Sequence, residues 1–405
     1  MASQLTEAIP RRIPIHGFPR VAPRQEFRRD IQGLRALAVL LVVGNHADIP
    51  GFAGGYIGVD VFFVISGYVI TQLLMRESEK SLRAALTDFY SRRIRRIVPA
   101  ATVTLVLTLL VAWLVLGPRL NPYLPGDVRW ASLFAANFRL IATGSNYFVP
   151  GIFPSLITQF WSLAVEEQFY LAFPLIVLLI AHFVPPQGRL RVLTITLAVA
   201  VAASALWSIH ISAADPTPAY YSPFTRFWEL GLGGFLAAIT TRKPMRSVWS
   251  ERIAVVLGIA LLAIALVDLS ATSTYPGWLA WLPCGATALF IWAGAGGMRT
   301  TVTKVLSTRP LVYIGAISYS LYLTHFVWLT LPKQLAVPLT GWPWTPIEIA
   351  GAILTAMLSY HLLENPIRHS RKLATDGVAT VLVLLVCVAT SWTTAIIVAH
   401  FAHIG

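Results

Sequence analysis

Two ionisable residues, Arg35 and His46, stand inside one apolar run, "DIQGLRALAVLLVVGNHADIPGF" (30–52). Their spacing comes to about 20° past three full helical turns, so on a helix both project from one face, separated along its axis by roughly 16 Å. Ionisable groups are costly in hydrocarbon, and where they occur there they mark functional positions. A histidine can take a proton from a hydroxyl near neutral pH, and a guanidinium fork suits phosphate oxygens. The bland alternatives are a snorkelling helix-end arginine and a buried histidine satisfied by a neighbouring helix.

Other segments bring further polar groups. "QFWSLAVEEQFYLAFP" carries adjacent Glu166 and Glu167, which apolar packing does not explain. Neighbouring helix positions point about 100° apart, so only one of the two can face a given cavity. A carboxylate holding His46 would complete the usual apparatus for deprotonating a hydroxyl. "SPFTRFWELGLGG" sets Arg226 and Glu229 one turn apart, the spacing of a helix ion pair, and "ISYSLYLTHFVWL" carries Tyr319, Tyr322 and His325. Arg226, Glu229, Tyr322 and His325 are candidates for binding the acceptor. In "FYSRRIRRIVP", Arg92, Arg93, Arg95 and Arg96 form either a phosphate clamp or an ordinary basic segment facing anionic lipid. In "GGYIGVDVFFVISGYVI" the glycines permit close helix approach, and Ser66 interrupts the apolar run with a hydroxyl.

These groups need helices to hold them, and the composition supplies helices of one kind. The 405 residues are 56% hydrophobic and 12% charged, with mean hydropathy +0.68, which excludes an ordinary soluble domain. The net charge of +13 does not argue for nucleic acid, because Lys and Arg sit in short segments between apolar runs. Cys284 and Cys387 fall within apolar runs, with no disulfide framework and no metal-ligand spacing, so no metal is expected.

Runs long enough to span begin near residues 34, 57, 97, 158, 191, 223, 253, 277, 311, 344 and 377, with 128–144 as a weaker twelfth. With eleven spans and a cytoplasmic N-terminus, 26 of the 31 Lys and Arg fall inside, leaving only Arg119, Arg129, Arg139, Arg226 and Lys333 outside. Letting 128–144 span would invert every later loop. The chain is therefore expected to be all-α: a polytopic bundle of about eleven transmembrane helices, with the C-terminus external and 118–157 an outer segment. Residues 1–29 read as a flexible cytoplasmic tail, 30–370 as the membrane domain, and 371–405 as an additional C-terminal span. No internal repeat points to the common secondary-transporter folds.

Taken in order, "GLRALAVLLVVGNHA", "GGYIGVDVFFVISGYVI", "FYSRRIRRIVP", "FWSLAVEEQFYL", "FWELGLGG", "ISYSLYLTHF" and "LLENPIR" resemble the membrane-bound acyltransferase family 3, over about residues 30–370. The resemblance implies an acyl-CoA donor on the cytoplasmic side, most often acetyl-CoA, and an extracytoplasmic hydroxyl acceptor on a glycan or glycolipid. It puts the family's paired Arg and His on Arg35 and His46, and its arginine motif on Arg92–Arg96. His46 is then the expected base, oriented by Glu166 or Glu167. Arg35, near the cytoplasmic boundary, and Arg92, Arg93, Arg95 and Arg96 would hold the CoA phosphates, and Ser66 would serve the donor side or an acyl relay. Many relatives continue into an external SGNH-type domain. This chain carries no Gly-Asp-Ser nucleophile motif, so such a domain is expected only as a separate partner or beyond residue 405. The rival readings are a proton-coupled transporter or flippase using the same His and Glu, and a scaffold for a glycan-modifying complex.

Overall fold

The computed structural model describes residues 28–148, 155–242, 247–295, 300–335, 341 and 343–402. The expected tail falls outside this set up to residue 27, as do residues 403–405. Among the described residues every regular element is helical. Eleven long helices form the bundle: α1 (Arg29–His46), α2 (Gly58–Glu77), α3 (Leu82–Leu116), α4 (Phe160–Phe183), α5 (Pro186–Ala214), α6 (Pro223–Arg242), α7 (Val248–Asp268), α8 (Trp281–Ala295), α9 (Arg309–Thr330), α10 (Trp344–Ser359) and α11 (Gly377–Ala402). Eight of them are long and apolar enough to cross a membrane. The other three are α1 and α6, which carry Arg35 and the Arg226–Glu229 pair, and α8, which has 15 residues. The chain is a multi-pass integral membrane protein, and the exposed side chains of its outer helices, such as Ile195, Val199 and Leu206 on α5 and Val381 and Leu385 on α11, are apolar as a lipid-facing surface requires.

Two close backbone approaches set the frame. A Cβ at Gly67 would lie 1.8 Å from the carbonyl oxygen of Leu230, and one at Gly233 would lie 2.0 Å from that of Val64, so α2 and α6 meet through reciprocal glycines. In the same way Gly315 of α9 rests on the Gln32 carbonyl of α1, where a Cβ would come within 1.9 Å. This second contact lets α1 and α9 run side by side to their histidine-bearing ends.

The depth of Arg35 differs from the sequence expectation. Helix α1 begins inside the bundle: Asp30 is 1% exposed and pairs with Arg28, whose guanidinium also donates to the Ile291 carbonyl. Gly58 abuts the Ala38 carbonyl, so Arg35 lies roughly 24 Å along α2 from its Glu77 end, counted at 1.5 Å per residue. It is therefore well inside the protein and not at the boundary. The arginine run also lies differently. Helix α3 starts at Leu82, with Ala84 N–H donating to Ser81 Oγ at 3.4 Å, and spans 35 residues. Arg92–Arg96 are thus deep in a helix of roughly 52 Å, beyond its first two turns, where the apolar count had placed them in a loop.

Segment 128–144 folds as two short helices, Leu124–Ser132 and Ala136–Ala142, of nine and seven residues, joined by an Arg139–Asp127 ion pair at 3.1 Å. Neither is long enough to cross hydrocarbon. Helix α11 packs along α3 and onto Leu124–Ser132, with Trp392 Nε1–H donating to Ser132 Oγ at 3.1 Å. Helix α10 continues through a π-helical turn, Tyr360–Glu364, into Asn365–Arg368. That wide turn aims the buried Glu364 carboxylate at Ser320, whose Oγ–H donates to it at 2.8 Å.

The orientation the charges predict is open to a direct labelling test. With Cys284 and Cys387 replaced by alanine, a cysteine at the exposed Asp48 position should react with an impermeant maleimide on intact cells. A cysteine at the exposed Glu79 position, at the opposite end of α2, should react only after lysis. The reverse pattern would put His46 on the cytoplasmic side.

Candidate active site

A cavity of about 640 Å³ opens between α2, α3, α4 and α9. One end is basic. Arg35, Arg92, Arg93, Arg95 and Arg96 all line it, together with Arg76, Arg368 and Arg371, which the sequence reading did not single out. The arginines are not equivalent. Arg92 Nη2 donates to Glu77 at 3.0 Å. Arg95 is tied to the Ser91 and Ser370 carbonyls at 3.1 and 3.3 Å. The Arg93 guanidinium lies 3.6 Å over the Tyr170 ring and 3.7 Å from Glu166, and its buried Nε and Nη2 have no hydrogen-bond partner.

Glu166 faces this cavity and Glu167 does not line it, as adjacent helix positions require. One oxygen of Glu166 accepts from both Ser66 Oγ, at 2.7 Å, and the Tyr170 hydroxyl. Glu167 leaves its buried Oε1 without a hydrogen-bond partner. The expected His46–carboxylate pair is not formed. The physical reason lies in the register of α4, which sets Glu166 level with Ser66 and Arg93, while Ser162, one turn earlier, meets Tyr322.

His46 sits beyond the other, apolar end of the cavity. Its Nδ1 lies 2.9 Å from His325 Nε2 and its Nε2 lies 2.7 Å from the Tyr147 hydroxyl. His325 Nδ1 lies 3.0 Å from the Leu321 carbonyl, which can only accept. That contact decides the protons. His325 carries its hydrogen on Nδ1, so its Nε2 is a lone pair; His46 must donate from Nδ1, and its own Nε2 is left basic. In the neutral pair Tyr147 O–H therefore donates to His46 Nε2. Tyr322 separates this pair from the cavity: its hydroxyl is 2.6 Å from Ser162 Oγ and donates to the Gln159 carbonyl at 3.1 Å, and its ring lies 5.5 Å from that of His325. Both ring nitrogens of His325 are engaged inside the protein, so it contacts His46 and not an acceptor, contrary to expectation.

Arg226 and Glu229 also depart from the expected acceptor-binding role. Both are fully buried, with Arg226 Nη1 donating to Glu229 at 2.9 Å and to Asp60 at 3.0 Å, and its Nε to the Tyr220 carbonyl at 3.0 Å. Cys284 joins them: its sulfur and oxygens of Asp60 and Glu229 lie within 4.8 Å of one another, with the Arg226 guanidinium supplying the positive charge. Tyr220 stacks on Arg226 from one side and on Tyr147 from the other, with ring centroids 4.6 Å apart in the Tyr147 pair. The cluster thus backs the aromatic wall that holds Tyr147 against His46. Tyr147 itself was missed. It lies in "SNYF", a loop segment with no periodic signal, and only the fold brings it to α1.

Comparison with known proteins supports the sequence resemblance. A family described as an acyltransferase domain matches residues 28–364. The chain is 32% identical over 351 residues to the peptidoglycan O-acetyltransferase OatA of Listeria monocytogenes, a match covering 84% of this chain and 56% of that protein. It is 32% identical over 348 residues to the O-acetyltransferase OatA of Staphylococcus aureus, covering 84% and 57%. It is 33% identical over 353 residues to the putative peptidoglycan O-acetyltransferase YrhL of Bacillus subtilis, covering 84% and 54%. The chain spans about half the length of the curated relatives it matches. No solved structure matches it. With the family's motifs in order along a helical membrane bundle, and the family matched across most of its length, the chain belongs to the membrane-bound acyltransferase family 3.

Proposed function

We propose that this protein transfers an acetyl group from acetyl-CoA, held from the cytoplasmic side, to a hydroxyl of an extracytoplasmic cell-wall glycan. The observation that carries the reading is a single cavity with eight arginines at one end and an apolar wall at the other, directly behind which His46 presents a basic Nε2. The phosphates of CoA suit the arginine end, where guanidinium groups outnumber carboxylates. The acyl thioester then leads into the apolar end. The relatives' names give the acceptor class: they are O-acetyltransferases of peptidoglycan.

In this mechanism the acceptor hydroxyl takes the place of the Tyr147 hydroxyl at His46 Nε2. His46 removes its proton as the oxygen attacks the thioester carbonyl, the carbon–sulfur bond breaks, and the proton passes from His46 to the departing CoA thiolate. His325 accepts the Nδ1–H of His46 throughout, stabilising the imidazolium in the position usually given to a carboxylate. Glu166 balances Arg93 and holds Ser66 in place. A transporter's His–Glu proton relay finds no support in the same geometry, since both nitrogens of His46 are bonded to His325 and Tyr147.

Three outcomes follow from these assignments. His46→Ala should lower turnover by about 10²–10⁴-fold with CoA affinity unchanged. Arg35→Ala should instead weaken CoA binding by roughly tenfold or more, the effect of losing one charged hydrogen bond. Calorimetric titration of both variants with CoA decides, and equal loss of binding in the two would end the division of roles. Glu166→Gln should remove activity, whereas Glu167→Gln should keep it and chiefly lower the melting temperature; activity surviving in both would rule out a role for the pair. His325→Phe should depress kcat without changing KM, and His325→Gln, which restores an acceptor for His46 Nδ1–H, should recover part of it. Equal kcat in the Phe and Gln variants would reject the positioning role.

A further inference from the structure

Between the donor cavity and His46 stands a wall made by two aromatic rings. Phe62 and Tyr322 meet edge-on, with centroids 6.1 Å apart and planes at 75°, and both line the cavity, whereas His46 and His325 do not. Their neighbours are pinned. Tyr322 is fixed by Ser162 and Gln159, and Phe63 is 1% exposed and packed edge-on against Trp161. Phe62 is half-buried and has no polar anchor, so it is the member of this wall whose bulk sets the free depth of the pocket.

We propose that Phe62 sets the length of the acyl group accepted from the donor, an inference that rests on the acyl-CoA reading above. With the CoA phosphates at the arginines, the first atoms to reach the wall are those of the acyl chain. A two-carbon acyl group ends at the Phe62–Tyr322 contact with its thioester carbonyl facing the His46 side. Each further methylene must displace the Phe62 ring or draw the carbonyl back towards the arginines. A pocket that rejects one methylene discriminates by about 10–200-fold. Tyr322 cannot yield in the same way without breaking its two hydrogen bonds.

The test uses the purified full chain in lipid nanodiscs, with acetyl-, propionyl- and butyryl-CoA as donors and a soluble peptidoglycan oligosaccharide as acceptor, reading released CoA thiol and the acylated oligosaccharide by mass spectrometry. The unaltered protein should favour acetyl over butyryl in kcat/KM by at least about tenfold. Phe62→Ala should collapse that ratio by raising butyryl turnover, with Phe62→Leu intermediate. Phe62→Trp should act in the opposite direction and suppress propionyl transfer while sparing acetyl most. Melting temperatures identify any variant that fails to fold, and the Leu and Trp variants then decide between them. An unaltered acetyl-to-butyryl ratio in the folded variants would overturn the proposal, as would equal use of both donors by the unaltered protein. Failure of the unaltered protein to bind or turn over any acyl-CoA is a different result: it removes the donor reading, and the length selector with it.

Discussion

The hydrogen bond from His325 Nδ1–H to the Leu321 carbonyl is local, closing back one turn within α9 at 3.0 Å, yet it fixes every proton in the outer tier of the site. A carbonyl cannot donate, so the tautomer of His325 is settled by its own helix, the tautomer of His46 by His325, and the donor at His46 Nε2 by His46. The chain of dependence runs in one direction. It requires α1 and α9 to be held at fixed separation, and the Gly315–Gln32 approach provides that. It also requires Tyr147 to be delivered from a loop, which the aromatic wall backed by the Asp60–Arg226–Glu229 cluster achieves. The buried ionic cluster and the histidine pair are thus parts of one arrangement, although no hydrogen bond joins them directly.

Charge imposes the second constraint. Eight guanidinium groups around one cavity repel one another, and uncompensated charge in a low-dielectric interior is expensive. The described residues offer only partial compensation: Glu77 to Arg92, Glu166 to Arg93, and carbonyl oxygens to Arg95. An anionic ligand with several phosphate oxygens relieves the rest, so the empty cavity is electrostatically prepared for such a ligand. The apolar lining further along favours a ligand whose opposite end is uncharged.

Much of this was legible in the sequence, and the parts that were not have physical reasons. Hydropathy located the eleven helices, and helical spacing put Arg35 and His46 on one face; His46 proved to sit at the end of α1, facing α9 as the shared-face argument requires. The single-cavity rule for adjacent positions separated Glu166 from Glu167. Depth was misjudged because apolar runs do not mark where a helix starts: α1 begins on the buried Asp30–Arg28 pair, and α3 begins fifteen residues ahead of its apolar stretch, at a serine cap. The partner of His46 was misassigned because residue type favours a carboxylate, whereas the register between α4 and α9 brings His325 and withholds Glu166. Tyr147, Arg368 and Arg371 came from segments without periodicity, and only tertiary packing shows where such residues end up.

The π-helical turn at Tyr360–Glu364 has an implication for how this scaffold tolerates change in length. A π turn accommodates one residue more than an α turn, and everything after it is phased accordingly. Loss of a single residue there would restore an ordinary α-helix and rotate the following segment by roughly 100°. Glu364 would leave Ser320, and Arg368 and Arg371 would swing off the cavity wall. Helix ends elsewhere in the bundle can absorb an inserted or deleted residue in a turn, but this stretch behaves as a counted spacer, in which length is as binding a specification as residue identity.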